Sequence, residues 1–170
     1  MKQIKPLIIS LIIAISSSGC LAESETKQAW WLSIKLEATE KLLANKPISD
    51  FNSDWKYASF LTNESVKSKI TKNEFNEFIN TDFKFELKQD LNKNGKTETV
   101  KVGVFETREN TEGIFLSIFE DGMLIKTLID RNSKNFSAVI SHNNKILWYR
   151  CMECGEFETL IWSGSGYFLE

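Results

Sequence analysis

The sequence predicts an α+β fold in which N-terminal helices pack on an antiparallel β-meander of about eight strands, arranged as a sandwich or a barrel. Before residue 82, apolar residues recur at three- and four-residue steps, which is typical of amphipathic helices. From residue 83 onward they form short runs separated by turn residues, which is typical of strands. The predicted divisions are a removable segment over 1–19, a helical region over 20–82 and the meander over 83–170, with the last two in one domain.

The longest predicted helix covers residues 23–45. Good helix formers dominate this segment, and four apolar residues recur at helical spacing, namely Trp31, Ile34, Ala38 and Leu42. They would form a single apolar face. The helix is expected to end at Lys46-Pro47, because proline cannot continue it.

Three shorter helices are expected before the meander, over residues 54–61, over 64–70 and after Thr71. The last begins with a capping-box pattern, because Glu74 stands three residues after Thr71 and can bond back to its backbone. Apolar residues follow this cap at helical spacing: Phe75, Phe78 and Ile79.

The predicted strands cover 83–88, 97–105, 113–120, 123–130, 136–141, 145–150, 156–162 and 167–169. Three pairs between them tolerate the positive φ of tight hairpins, namely Asn94-Gly95, Asp121-Gly122 and Asn143-Asn144. Sequential hairpins predict an antiparallel meander. Residues 114–116 are apolar throughout, which predicts a strand that is buried on both faces.

The N-terminus carries the pattern of an export signal. Lys2 and Lys5 precede an apolar run of nine residues, 7–15, which is far shorter than the roughly 20 residues that a membrane-spanning helix needs. Small residues then lead to Cys20. This pattern resembles the lipobox of bacterial lipoproteins, although Ser17 stands where leucine is usual, and it implies cleavage before Cys20 and lipidation of its thiol.

A lipid on Cys20 would hold the protein at the periplasmic side of the outer membrane, because Leu21 stands where lipoproteins retained in the inner membrane often carry aspartate. The alternative is ordinary cleavage after Ala22, which would leave a soluble periplasmic or secreted protein. Both routes place the mature chain outside the cytoplasm.

The two remaining cysteines, Cys151 and Cys154, form a close C-x-x-C pair. In an oxidising compartment such a pair is expected to close into a disulfide. A redox motif and a metal site are the alternatives, but a redox cysteine needs a helix N-terminus, and strand-like runs flank this pair.

Charge argues against a nucleic-acid partner. Removal of residues 1–19 takes two lysines from 21 basic side chains and none from 23 acidic ones, which leaves a formal charge of −4. A mildly acidic chain without basic runs offers no electrostatic surface for a phosphate backbone.

One stretch, residues 90–98, carries the chemistry of an ion site. Side-chain oxygens recur at odd positions of this loop, from Asp90, Asn92, Asn94 and Glu98, and Lys96 offers its carbonyl. A hard cation such as Ca²⁺ takes six to eight oxygen ligands. The spacing resembles the calcium loop of FG-GAP and VCBS-type β-hairpins, in which a strand follows directly.

The alternative interpretation of residues 90–98 is a solvated Asn-Gly turn. Only Asp90 and Glu98 carry negative charge, and two lysines lie among them. The loop is not an EF-hand, because Lys101 stands where the bidentate glutamate should be.

No catalytic residue is predicted. The single histidine, His142, stands beside the Asn143-Asn144 turn, and residues 163–166 lack the context of a nucleophile elbow. The aromatic pairs Trp30-Trp31 and Trp148-Tyr149 are expected in the core or between helices and sheet, and a partner-binding patch is the alternative.

The lipobox, the calcium-type loop and the C-terminal cysteine pair together resemble periplasmic inhibitor and immunity lipoproteins. The resemblance implies a non-enzymatic protein that binds a protein partner in the envelope, such as a cell-wall hydrolase. Two alternatives stay open: an outer-membrane-tethered structural or assembly accessory, and a thiol-disulfide oxidoreductase that uses Cys151 and Cys154.

Overall fold

The structure is a computed structural model that describes residues 29–133, 136–153 and 155–170. The predicted signal segment and Cys20 lie outside the described residues. The helices are α1 (Trp30–Ser33), α2 (Asn63–Lys67) and α3 (Lys72–Ile79), and one 3-10 turn covers Ile48–Asp50. The strands are β1 (Leu42–Leu43), β2 (Lys46–Pro47), β3 (Trp55–Phe60), β4 (Glu86–Gln89), β5 (Glu98–Thr107), β6 (Glu112–Glu120), β7 (Met123–Asp130), β8 (Ala138–His142), β9 (Lys145–Tyr149), β10 (Phe157–Trp162) and β11 (Tyr167–Leu169). Antiparallel sheet therefore dominates the described chain.

The larger sheet is built around the hairpin β5–β6. Its ladder runs from the pair Glu98 and Glu120 to the pair Glu106 and Glu112. Strand β7 continues the sheet beyond β6, whereas β3 and β4 pair with opposite halves of the other edge of β5. Both long strands consequently have neighbours on both sides.

The smaller sheet has the strand order β11-β10-β9-β8. Two backbone hydrogen bonds join it to the larger sheet just before β4: the Lys84 N–H donates to the Val139 carbonyl at 2.9 Å, and the Val139 N–H donates back at 2.8 Å. In the described residues β7 and β11 remain edge strands of separate sheets, so the barrel alternative is wrong.

An ion cluster also joins the two sheets. Arg150 donates to Asp130 at the end of β7 and to Glu158 in β10, and its guanidinium lies 4.8 Å from the ring centroid of Trp148. Burial raises the pKa of the Asp130 carboxyl, but the hydrogen bonds from the Asn132 N–H, Arg150 and Ser133 outweigh burial and leave the pKa below its usual value. Asp130 is thus held charged at the junction.

Two apolar clusters lie on opposite faces of β5 and β6. The first contains side chains from both sheets and from the helical segments, including Trp30, Phe78, Val102, Leu116 and Trp148. The second lies on the other face of the larger sheet and contains residues of β1 and the 3-10 turn, including Leu43, Ile48, Trp55, Phe105 and Phe115. Residues 114–116 are fully buried and divide between the clusters, which confirms the prediction for them and for the core position of Trp30.

Glycines opposite aromatic residues make the second cluster compact. Gly103 pairs with Phe115 and Gly113 pairs with Phe105 across the β5–β6 ladder, and each phenyl ring lies over the glycine opposite it. Trp55 packs against both rings, with centroid distances of 4.9 Å to Phe105 and 4.7 Å to Phe115. A side chain at either glycine would occupy the space of a ring.

The strand predictions for the second half are confirmed, with β4 to β11 lying where eight strands were expected. Two of the predicted turns have positive φ at both residues, Asp121-Gly122 and Asn143-Asn144. At the third predicted pair, Asn94-Gly95, the residues with positive φ are Lys93 and Gly95. The loop before β5 is therefore not a simple two-residue hairpin.

The prediction of a helical region over 20–82 is wrong for most of its length. Of the helix expected over 23–45, only α1 forms, and residues 23–28 lie outside the described residues. The chain instead makes the hairpin β1–β2, whose turn residues Ala44 and Asn45 have positive φ. Leu43 is fully buried while Leu42 is exposed, so tertiary packing overrides helix propensity here.

The helix predicted over 54–61 is also wrong, because this segment forms β3. Its aromatic residues Trp55, Tyr57 and Phe60 favour a strand, and β5 offers an edge with which it pairs. The two later helices are confirmed: α2 begins after Thr62, and α3 begins after Thr71 with the predicted capping box to Glu74. Among the described helices, none is both long enough and apolar enough to cross a membrane.

Replacement of Gly103 by alanine is expected to lower the free energy of unfolding by about 1–3 kcal/mol, as overpacked cores do. The new Cβ would lie 2.3 Å from Cζ of Phe115 and 2.6 Å from the carbonyl oxygen of Ser59, and the backbone oxygen cannot move aside. Gly166→Ala is the matched control, because no atom lies within 4 Å of its Cβ position. Urea denaturation with equal midpoints for both variants would contradict the prediction.

Candidate functional site

The predicted ion loop connects β4 to β5 and is stabilised by hydrogen bonds from its backbone N–H groups to its own side chains. The Gly95 N–H donates to Asp90 at 3.0 Å, the Asn94 N–H donates to Asn92 at 2.9 Å, and the Lys96 N–H donates to Asn94 at 2.7 Å. These are the local side-chain bonds that Asp and Asn make in turns. Three of the five predicted ligand groups, the side chains of Asp90, Asn92 and Asn94, therefore already accept a hydrogen bond within the loop.

Glu98, at the start of β5, is a fully buried carboxylate. One oxygen accepts from the Leu91 N–H at 2.7 Å, and the other accepts from Asn92 Nδ2 at 2.5 Å and from the Tyr167 hydroxyl at 2.7 Å. A buried charge is tolerated only when such bonds compensate its lost hydration. Glu98 thus fastens the loop to β11, the last strand of the chain.

A second carboxylate lies directly across the ladder, because Glu98 pairs with Glu120 of β6. Like charges in this position repel each other. The Nδ2 group of Asn92 lies between them, at 2.5 Å from Glu98 and 3.5 Å from Glu120, and Asn94 Nδ2 donates to Glu120 at 2.8 Å. Neutral amide donors therefore occupy a position that suits a cation.

These groups line a cavity of about 430 Å³, which we name the acid pocket. Its polar part consists of two carboxylates and two amides, and its apolar part consists of one aliphatic side chain and two aromatic rings. The lining residues are Asn92, Asn94, Glu98, Glu120, Ile125, Trp162 and Tyr167. Both sheets contribute, since the first five residues belong to the larger sheet or its loops and the last two belong to β10 and β11.

The apolar wall depends on a β-bulge. In the ladder between β6 and β7, Ile118 pairs with Lys126 and Phe119 pairs with Leu124, so Ile125 is an extra residue without a partner. Bulges of this kind redirect a side chain and are common beside binding sites. Ile125 remains 45% exposed and faces the same cavity as Trp162 and Tyr167, whose ring centroids lie 4.8 Å apart.

The structure brings together some of the predicted site residues and adds others. Asn92, Asn94 and Glu98 line the acid pocket, whereas Asp90 does not. The Lys96 ammonium donates to Asp121 at 2.8 Å, which places this side chain at the neighbouring turn. Glu120 could have been found from the sequence, because a hairpin over the predicted strands pairs it with Glu98. Trp162 and Tyr167 come from the second sheet, and no local pattern connects them to the loop.

The described part of the chain contains no cluster of three or more His, Cys, Asp or Glu residues that could hold a metal ion. An ion in the loop would therefore depend on the oxygens of Asp90, Asn92, Asn94 and Glu98 and on the Lys96 carbonyl. Calcium binding there stays a prediction.

Other predicted sites lie elsewhere. Cys151 is buried, and its pairing with Cys154 stays a prediction because Cys154 lies outside the described residues. His142 is exposed at the end of β8, with Nε2 2.9 Å from the amide nitrogen of Asn143. The Ser163 hydroxyl donates to the Gly166 carbonyl at 3.0 Å within its turn.

The stability of the protein is expected to fall as the pH rises above about 10, the ordinary pKa of tyrosine. Burial raises the pKa of the Tyr167 hydroxyl, and the hydrogen bond to Glu98 raises it further. The folded state therefore holds this proton more tightly than the unfolded state. The protonated Tyr167 contributes fully to the free energy of unfolding below the ordinary pKa, and this contribution is lost as the pH rises above it.

Tyr167→Phe should show a smaller loss between pH 9 and 11 in urea denaturation. At pH 7 the same variant should be less stable than the natural protein by about 1–3 kcal/mol, because Glu98 loses a donor. Tyr57→Phe, which changes a half-buried tyrosine outside the acid pocket, should retain the natural pH dependence. An identical loss in Tyr167→Phe and the natural protein would contradict the assignment.

No family model matches this chain, and comparison with curated proteins and with solved structures likewise found no match.

Proposed function

We propose that this chain is a non-enzymatic, exported binding protein of the bacterial envelope that engages a basic protein partner, in the manner of an inhibitor or immunity protein for a cell-wall hydrolase. The composition of the acid pocket carries this proposal. Glu98 and Glu120 are aligned by a long ladder and are held by fixed hydrogen bonds, so the site is organised before any ligand arrives. Preorganised polar groups favour binding because little entropy is lost on association.

Charge supports a basic partner. The chain without residues 1–19 has a formal charge of −4, and complementary charge raises the rate at which partners associate. The proposed location, at the periplasmic side of the outer membrane through a lipid on Cys20, would bring such a protein to the hydrolases that act on the cell wall.

A structural or assembly accessory tethered to the outer membrane is the second candidate. Edge strands favour it, because β7 carries exposed Met123 and β11 carries exposed Phe168. Exposed apolar groups on unpaired edges are typical of surfaces that add a further strand or partner.

The proposal includes a calcium ion in the loop over 90–98. Calcium at about 100 times its dissociation constant should add about 2.7 kcal/mol to the stability of the folded state, which raises the melting temperature by roughly 5–10 °C for a domain of this size. Asp90→Ala should remove this rise relative to EDTA, because Asp90 is a charged ligand. Asp82→Ala, which changes an exposed acid outside the loop, should keep it. No rise at 10 mM Ca²⁺ in the natural protein would refute the ion site.

The partner proposal is tested with a purified basic muramidase and a suspension of cell walls. We expect this protein to slow the fall in turbidity in proportion to its amount and to co-elute with the muramidase in gel filtration. The complex should weaken at high ionic strength, because charge steers the association. Normal hydrolysis together with separate elution would reject the inhibitor proposal and favour the accessory, for which co-purification with outer-membrane assembly proteins is the corresponding result.

A further inference from the structure

We infer that the acid pocket receives the side chain of a lysine or arginine that projects from the partner protein. This inference rests on the proposed function and names the chemical group that the site recognises. It follows from three features of the pocket: the arrangement of its charges, a carboxylate oxygen that no described residue donates a hydrogen bond to, and the apolar character of one wall.

The arrangement of charges favours a cation. Glu98 and Glu120 face each other across adjacent strands. The repulsion between them is relieved in part by the neutral amides of Asn92 and Asn94 and by the Lys96 ammonium, 3.8 Å from Glu120. A positive group that enters the pocket would relieve it further. Because one carboxylate is fully buried and the other is largely buried, water screens this attraction less than it would at an open surface.

One oxygen of the Glu120 carboxylate can accept a hydrogen bond from a ligand. Glu120 Oε2 accepts from Asn94 at 2.8 Å, but Oε1 accepts no hydrogen bond from any described residue. The Lys96 ammonium forms an ion pair with Oε1 at 3.8 Å, too long for a hydrogen bond, and it donates a hydrogen bond to Asp121. Carboxylate oxygens accept two hydrogen bonds each, so Glu120 can bind an ammonium or one edge of a guanidinium.

The apolar wall suits the alkyl stem of such a side chain. Ile125 is directed to the cavity by the bulge in β7, and the rings of Trp162 and Tyr167 complete the wall. Lysine and arginine pack their methylene groups on apolar surface while the charged end finds polar partners. The indole ring also attracts a cation that lies over its face.

A calcium ion fits the pocket less well than an organic cation. The two asparagine side chains direct their amide nitrogens, not their oxygens, to Glu98 and Glu120, whereas calcium needs oxygen ligands in large number. An ammonium needs only a few acceptors and benefits from the apolar wall. The calcium ligands considered for the loop share only the Glu98 carboxylate with the acidic groups of the pocket.

The inference is tested by NMR titration with three blocked amino acids, the N-acetyl methylamides of lysine, arginine and norleucine. We expect the lysine and arginine probes to shift the indole N–H signal of Trp162 and the side-chain amide signals of Asn92 and Asn94, with affinities in the millimolar range that suits such small ligands. The norleucine probe has a similar stem without the charge and should bind at least about tenfold more weakly.

Glu120→Gln should weaken the lysine probe about tenfold or more, because it removes the charge and keeps the shape. Glu112→Gln is the matched control, since Glu112 is an exposed glutamate at the opposite end of the same β5–β6 ladder, and it should bind the probe normally. Trp162→Leu should also weaken the lysine probe while keeping the wall apolar, which provides a second variant in case Glu120→Gln alters the fold.

Equal binding of the norleucine and lysine probes, or unchanged binding of the lysine probe in both Glu120→Gln and Trp162→Leu, would overturn the inference. The outcomes also separate it from the proposed function. A muramidase complex of unchanged affinity in Glu120→Gln would reject the pocket as the recognition site and leave the proposed function intact. Binding of the lysine probe that is lost in Glu120→Gln, with no effect on any muramidase, would support the pocket and reject the proposed function.

Discussion

The β5–β6 ladder, buried on both of its faces, is the constraint on which the rest of the structure depends. A strand pair with apolar side chains on both faces must be covered twice, and the chain does so with the second sheet on one face and the β1–β2 hairpin and 3-10 turn on the other. Gly103 and Gly113 allow the rings of Phe115 and Phe105 to lie against the backbone. The ladder is therefore fixed in register by packing as well as by its hydrogen bonds.

That fixed register also determines the chemistry at its end. A shift of one residue would move Glu98 away from Glu120 and turn alternate side chains to the wrong core. With the register held, two carboxylates meet, and the loop over 90–98 supplies the amide and backbone donors that make this tolerable. Tyr167 adds a donor from the second sheet. The acid pocket is thus a consequence of how the two sheets are joined.

The proposed recognition of a basic partner uses these features together. The core holds the acidic groups in place, the bulge in β7 turns Ile125 to the cavity, and the cavity of about 430 Å³ leaves room for a side chain. A site built in this way between two sheets depends on the integrity of both, so we expect its binding properties to be sensitive to changes in the core that touch none of the lining residues.

The sequence by itself determined the second half of the fold. Apolar runs, separated by residues that tolerate positive φ, predicted the positions of β4 to β11. This was possible because strand period and turn chemistry are local properties of the chain. It also identified Asn92, Asn94 and Glu98 as chemically distinctive. Only the tertiary structure decided that residues 42–47 form a hairpin and that 55–60 form a strand. The hairpin packs Leu43 into the second apolar cluster, and β3 pairs with the distant β5, which outweighs local helix propensity. It likewise decided that Trp162 and Tyr167 complete the acid pocket, because the contact between two sheets leaves no periodic signal in the sequence.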